Sequence, residues 1–241
     1  MTMSKRRKRC PLGAMYLLTV AGLITAVLWG SRAVTVLSEQ LPIQRSHCFI
    51  IDPGHGGEDG GAASCTGKLE SGLNLEIALR LNDLLTFLGY DTDMTRRTDV
   101  SIYTKGETLS QKKASDLKER VRIINETEGG ILLSIHQNHF SDSRYSGAQV
   151  FYAKTEGSQT LAAQLQASLI QALNPGSRRN AKPSTSVYLM EHIEKPGILI
   201  ECGFLSNPEE EQKLRNPIYQ KKLCSVIASA LSSHISENLL A

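Results

Sequence analysis

The chain has 241 residues, 41% of them hydrophobic and 21% charged, a composition that excludes a disordered or fibrous protein. Its net charge is +3, but Lys5-Arg6-Arg7-Lys8-Arg9 supplies five positive charges and leaves the rest of the chain at −2. The body therefore lacks the clustered basic surface of a nucleic-acid binder, and no nucleic-acid partner is expected.

The basic run opens into a stretch from Pro11 to Gly30 that carries no charge and is mostly apolar. About 18 apolar residues suffice to cross a bilayer as a helix, whereas the core of a cleaved signal peptide is about 7–15 residues long. Residues 1–31 read as a signal peptide or, as the length favours, a signal anchor. The positive-inside rule keeps the basic run cytoplasmic and places the C-terminal domain outside. Residues 32–46 read as a linker, and 47–241 as one folded domain. The five cysteines, Cys10, Cys48, Cys65, Cys202 and Cys224, match neither a disulfide framework nor a four-thiolate zinc site. They read as mostly small, buried apolar residues.

From His47 onward strand-like and helix-like segments alternate. This predicts an α/β fold: a single three-layer domain with a mostly parallel, mixed sheet of about six strands between helices. Cys48 to Ile51 is a buried strand that runs into the glycine-rich loop Asp52-Pro53-Gly54-His55-Gly56-Gly57. Leu73, Ile77, Leu81, Leu84, Leu85 and Leu88 recur at helical spacing, and Gly89 closes that helix. Residues 90–95 form a second strand and 96–110 a loop. Residues 116–127 form a surface helix with Leu117, Val121 and Ile124 turned inward. Strands come next at 131–135 and 147–153, then an amphipathic helix at 158–173 and a loop at 174–186. Short strands occupy 187–190 and 197–201. Two helices, opened by Pro208 and Pro217 at the first helical position, end the chain.

Four residues with metal or proton chemistry stand at strand ends or open the first helix. His55 follows the first strand, His136 follows Ile135, Glu201 follows Ile200, and Glu70 begins the helix. In open α/β sheets ligands bind beyond the carboxyl ends of strands. Histidines and a glutamate meeting there have the composition of a catalytic zinc site with a position left for water. Each residue alone has a plainer reading. The glycines around His55 suit a phosphate cradle, and Glu70 suits the positive end of a helix.

Four blocks, in order, carry a resemblance. They are Ile50-Ile51-Asp52-Pro53-Gly54-His55-Gly56-Gly57; Gly67 and Glu70 running into Asn74-Leu75; Ser134-Ile135-His136-Gln137-Asn138; and Ile200-Glu201-Cys202-Gly203-Phe204-Leu205-Ser206-Asn207. Together they resemble the zinc-dependent N-acetylmuramoyl-L-alanine amidases of the amidase-3 family, over roughly residues 47–238. Within that family the chain is most similar to the spore-cortex, germination-specific (CwlD) type. The resemblance implies Zn2+ on His55, Glu70 and His136, with Glu201 as the catalytic residue. It also implies peptidoglycan as substrate, in sporulation or germination, outside the cytoplasmic membrane. The expected partners are the membrane, through the N-terminal segment, and an accessory spore or cell-wall protein.

Two departures stand out: Ser71 where the family often has lysine, and Gln137-Asn138-His139 where it often has Ala-Asn-Ala. Gln137, Asn138 and His139 are candidate substrate contacts, and Arg178 and Arg179 are candidates for stem-peptide carboxylates. The rival functions are another zinc peptidoglycan hydrolase, such as a carboxypeptidase, and a peptidoglycan-binding module without activity.

Overall fold

Phe49-Ile50-Ile51 and Ile131-Leu132-Leu133 are apolar at every position, the pattern of strands covered on both faces. In the computed structural model, which describes residues 47–240, they pair in parallel near the middle of one sheet. The strands are β1 (Cys48–Pro53), β2 (Asp91–Met94), β3 (Gly130–Asn138), β4 (Gln149–Tyr152), β5 (Lys182–Pro183) and β6 (Gly197–Phe204). Their order across the sheet is β2-β1-β3-β6-β4-β5. Every pairing is parallel except β4 with β6. The predicted signal segment and linker, residues 1–46, lie outside the described residues. Among the described residues, no helix is long and apolar enough to cross a membrane.

The helices are α1 (Glu70–Phe87), α2 (Leu109–Glu126), α3 (Ser158–Leu173), α4 (Tyr188–His192), α5 (Pro208–Leu214) and α6 (Pro217–Leu240). One face of the sheet buries Phe49, Ile51, Leu133, Ile135, Ile198 and Ile200 against Leu73, Ile77 and Leu81 of α1, Leu165 of α3 and Ile227 of α6. The other buries Ile50, Leu132 and Leu199 against Ile124 of α2 and Leu189 and Met190 of α4. Each large aliphatic side chain so buried contributes about 1.5–3 kcal/mol. The mixed six-stranded sheet between two helical layers is the expected architecture.

Three local readings need correction. Residues 188–190 belong to helix α4, not to a strand, and Val187 is its N-cap. An apolar run of four does not distinguish the two, and here the backbone bonds Glu191 N→Val187 O and Ile193 N→Leu189 O close a helical turn. The sixth strand is instead β5, inside the predicted loop, where Lys182 and Pro183 pair with Phe151 and Tyr152. A proline is tolerated there because the position is a sheet edge.

Helix α2 begins seven residues earlier than expected. The Thr108 side chain accepts from Gln111 N while the Gln111 side chain accepts from Thr108 N, a capping box that satisfies two orphan donors. Its inward face is also more polar than its apolar spacing indicates. Asp116 and Arg120 are buried with Ile124, whereas Leu117 and Val121 are half-buried. Finally, Cys202 and Cys224 are buried, but Cys48 is half-buried and Cys65 is exposed.

Candidate active site

Strands β2 and β3 lie on opposite sides of β1, so the chain reverses its direction across the sheet there. That reversal leaves a crevice beyond the strand ends. His55 sits just past the end of β1 and His136 lies within β3. Glu201 lies within β6 as the register partner of His136. Partners in register on neighbouring strands project from the same face of a sheet, so His136 and Glu201 stand side by side. Glu70 enters from the first turn of α1.

The Glu70 carboxylate lies between the two imidazoles. Its Oε2 is 3.3 Å from His55 Nε2, and its Oε1 is 3.0 Å from His136 Nδ1. The rings meet edge to face, with centroids 5.1 Å apart. Three neutral donors hold the carboxylate: Ala62 N on Oε2 at 3.0 Å, and Gln137 N and Asn74 Nδ2 on Oε1, both at 3.2 Å. Burial works against charge on Glu70, but its bonds to His136 and His55 prevail and hold it far below the usual carboxylate range.

His55 is oriented from behind, because its Nδ1 lies 2.9 Å from Asp59 Oδ2. A carboxylate behind a histidine fixes the ring and leaves the other nitrogen free to ligate. Burial opposes a charge on His55, yet the bonds to Asp59 and Glu70 outweigh it and raise the group to about 9. One ligand atom from each of His55, Glu70 and His136 falls within a 4.8 Å cluster. Two imidazole nitrogens and a carboxylate oxygen, with no thiolate, fit the open three-ligand set that holds catalytic zinc.

Glu201 adds an acid–base group to this cluster. Its Oε2 is sealed from solvent and takes no hydrogen bond among the described residues. Burial raises the carboxyl to about 7; His136 and His55 offset the rise and Glu70 adds to it. An unpartnered buried carboxylate oxygen is costly and commonly marks a functional group. The cleft above has a volume of about 270 Å3. Its lining includes His55, His136 and Glu201, with Leu117 of α2 and Val187 and Tyr188 at the start of α4 forming an apolar side.

Beneath the site lies a polar network that no short motif reveals. Asp52, 1% exposed, pairs with Arg120, 2% exposed, through Nη1 at 2.5 Å. Asp52 also accepts from Thr95 Oγ1 at 2.6 Å and from Ser134 Oγ at 2.8 Å. Arg120 reaches on to the carbonyls of Pro53 at 2.9 Å and His55 at 2.8 Å. Arg96 donates to the carbonyls of Pro53 and Gly54, both at 2.9 Å. This clamps His55, whose φ of 61° lies in the left-handed region that non-glycine residues rarely occupy. Arg120 was legible only as part of a surface helix and Arg96 as part of a loop. The partners named here are 42–68 residues away in sequence; Arg120 also pairs with Asp116, one helical turn away, at 2.7 Å.

The remaining sequence candidates are placed differently. Gln137 is buried on the opposite face, with Nε2 on Asn74 Oδ1 at 3.2 Å, so it supports Glu70 from below. Asn138 is half-buried, and its carbonyl accepts from Leu205 N at 2.8 Å. His139 is exposed and stands outside the ligand cluster. Arg178 and Arg179 line a separate hollow.

Gly54 is needed for close approach, since a methyl group there would overlap the His136 ring. Gly54→Ala is expected to turn that ring away, weakening metal binding at least tenfold while leaving the far-UV circular dichroism unchanged. Titration with Zn2+ checks this, and wild-type affinity in the variant would show that the ring has room to move.

Comparison with known proteins agrees with this geometry. Residues 49–233 match the family model described as N-acetylmuramoyl-L-alanine amidase. The germination-specific N-acetylmuramoyl-L-alanine amidase of Bacillus subtilis is 41% identical over 192 residues, covering 78% of this chain and 80% of that protein. Among solved structures, the CwlD amidase of Clostridioides difficile, in complex with the GerS lipoprotein, superposes with a TM-score of 0.76 at 36% identity. That match covers 79% of this chain and 98% of the other. An N-acetylmuramoyl-L-alanine amidase from Clostridium difficile gives a TM-score of 0.70 at 30% identity, covering 80% and 98%. The carboxypeptidase and inert binding-module readings give way: the chain belongs to the N-acetylmuramoyl-L-alanine amidase family, enzymes of the peptidoglycan cell wall.

Proposed function

We propose that this amidase depends on zinc held by His55, Glu70 and His136, uses Glu201 as its general base and acid, and acts on spore-cortex peptidoglycan outside the cytoplasmic membrane. The observation that carries the chemistry is the cluster of two imidazoles and one carboxylate within 4.8 Å, beside a buried carboxylate oxygen with no partner. Bound there, zinc supplies an acidified water and polarises the scissile carbonyl.

The chain's own residues do the rest. Glu70 and Asp59 hold the imidazoles in place, and the apolar side of the cleft keeps bulk water out. Glu201 accepts the proton of the attacking water and delivers it to the leaving nitrogen. The bond from the lactyl carbonyl carbon of muramic acid to the nitrogen of L-alanine breaks. Water oxygen ends on that carbon, and the stem peptide leaves with a free amino terminus.

The cortex assignment is supported by the similarity to a germination-specific relative. The solved relative in complex with a lipoprotein supports an accessory spore or cell-wall protein for this chain too. Residues 1–31 would anchor the enzyme to the membrane and place it on the outer side.

The test is digestion of purified cortex and vegetative peptidoglycan, read as new L-alanine amino termini by mass analysis. Cortex is expected to be cut faster, a chelator to stop release, and Zn2+ to restore it. Full activity after thorough chelation would remove the metal from the mechanism, and equal rates on both walls would remove the cortex assignment.

A further inference from the structure

A second hollow, of about 510 Å3, is lined by Arg178, Arg179 and Lys182 together with Tyr145, Gln149 and Asn180. It holds three cations and no acid. Among the described residues none of the three cations pairs with a carboxylate. Solvated basic residues are common at surfaces, but two features set this group apart.

The first is preorganisation. Arg179 donates Nη2 to Ser146 O at 3.1 Å and Nη1 to Gln149 Oε1 at 3.5 Å. Its guanidinium lies over the ring of Phe204, 5.2 Å from the centroid. A planar fork held by neutral acceptors and a ring face keeps its charge uncompensated and its geometry ready for a carboxylate.

The second is position. Gln149 opens β4, and its register partner across the antiparallel pair is Glu201. Cross-strand partners lie about 5 Å apart. The hollow therefore begins one strand away from the catalytic carboxylate, at the same end of the sheet. An extended peptide advances about 3.3 Å per residue. Gln149 in turn accepts from Arg179, so a peptide running from a bond cut at Glu201 across β4 heads toward the cations.

We propose that this hollow is an anionic-peptide subsite that binds a carboxylate of the stem peptide just beyond the scissile amide. Arg179 forms the fixed part of the clamp, and Arg178 and Lys182 supply field at the rim. This rests on the amidase reading above and directs the stem peptide toward the β4–β5 edge of the sheet. The polar hollow thereby selects substrates by the charge that follows L-alanine, while the metal cluster selects the bond.

The experiment compares two muramyl-peptide substrates, one with free stem carboxylates and one with them amidated, on the zinc-loaded protein. Calorimetric titration with the corresponding released peptides runs alongside. For the wild type, amidation is expected to raise KM and weaken peptide binding about tenfold, the scale of a hydrogen bond to a charged group. In Arg178→Glu and in Lys182→Glu, both exposed positions where a folding defect is not expected, that free-to-amidated ratio falls toward one. A control reversal on the exposed face of α2, Lys118→Glu, keeps the wild-type ratio. A ratio unchanged in both rim variants, in kinetics and in peptide binding, would overturn the subsite. Charge-dependent peptide binding with no cleavage of either substrate would overturn the amidase reading and leave the subsite standing.

Discussion

Glu201→Gln is expected to keep its zinc and lose roughly 10²–10⁴-fold in kcat, the usual contribution of a general acid–base. The substitution is nearly isosteric, so the register of His136 with Glu201 and the ligand cluster should persist. The amide has no proton-accepting carboxylate, so water is no longer deprotonated and the leaving nitrogen receives no proton. Metal content by atomic absorption, measured beside turnover, separates this outcome from loss of the site. Turnover within about threefold of wild type would place the base elsewhere.

The same residue sets a pH dependence. Burial raises Glu201 to about 7, and a cation at the neighbouring cluster favours the ionised form and lowers that value. Only the ionised carboxylate accepts a proton. Activity of the zinc-loaded enzyme should therefore fall on acidification, along a limb at or below about pH 7. A profile flat from about pH 8 to about pH 5 would count against the assignment.

The second large effect is on stability. Asp52→Asn breaks one of the two carboxylate pairs of buried Arg120 and leaves Asp116, at 2.7 Å, as its remaining counter-charge, so the loss is expected toward the lower end of the about 3–5 kcal/mol that breaking a buried pair costs. For a domain of this size that lowers Tm by roughly 6–20 °C. Burial pushes the Asp52 carboxyl up, but Arg120 and the hydroxyls of Thr95 and Ser134 bring it below the ordinary carboxylate range, with His136 contributing. A folded value below the unfolded one means that the pair's stabilisation is present above the unfolded value of about 4. It is lost as pH falls through the folded value.

Wild type should accordingly lose stability on acidification, and Asp52→Asn should show a flatter dependence at a lower plateau. Urea melts across pH check both. An identical midpoint at neutral pH would show that the pair is energetically idle. The double variant Asp52→Asn with Arg120→Met should recover part of the loss, since it takes the Asp52–Arg120 charge pair out of the core and leaves Asp116 held by Ile102 N alone among the described residues. Zinc affinity should stay depressed in the double variant, because Arg120 no longer holds the His55 carbonyl.

Local pattern was sufficient for much of this protein. The apolar runs at Phe49–Ile51 and Ile131–Leu133, the leucine spacing of α1, and Pro208 and Pro217 at helix starts each act within a few residues, so the chain alone determined those elements. It also pointed to the set His55, Glu70, His136 and Glu201 through the short motifs around them, although β3 and β6 run on past His136 and Glu201 to Asn138 and Phe204. The tertiary structure decided whatever depended on distant partners. Residues 188–190 form a helix that packs Leu189 and Met190 into the layer over Ile50, Leu132 and Leu199. Arg120 turned inward because Asp52 waits 68 residues earlier, and Gln137 turned away from the cleft to Asn74. Asp59 behind His55, the unpartnered oxygen of Glu201 and the basic hollow beside Gln149 exist only once the sheet is assembled. Hydrogen bonds and charge pairs act over a few ångströms of space, and sequence distance carries no record of them.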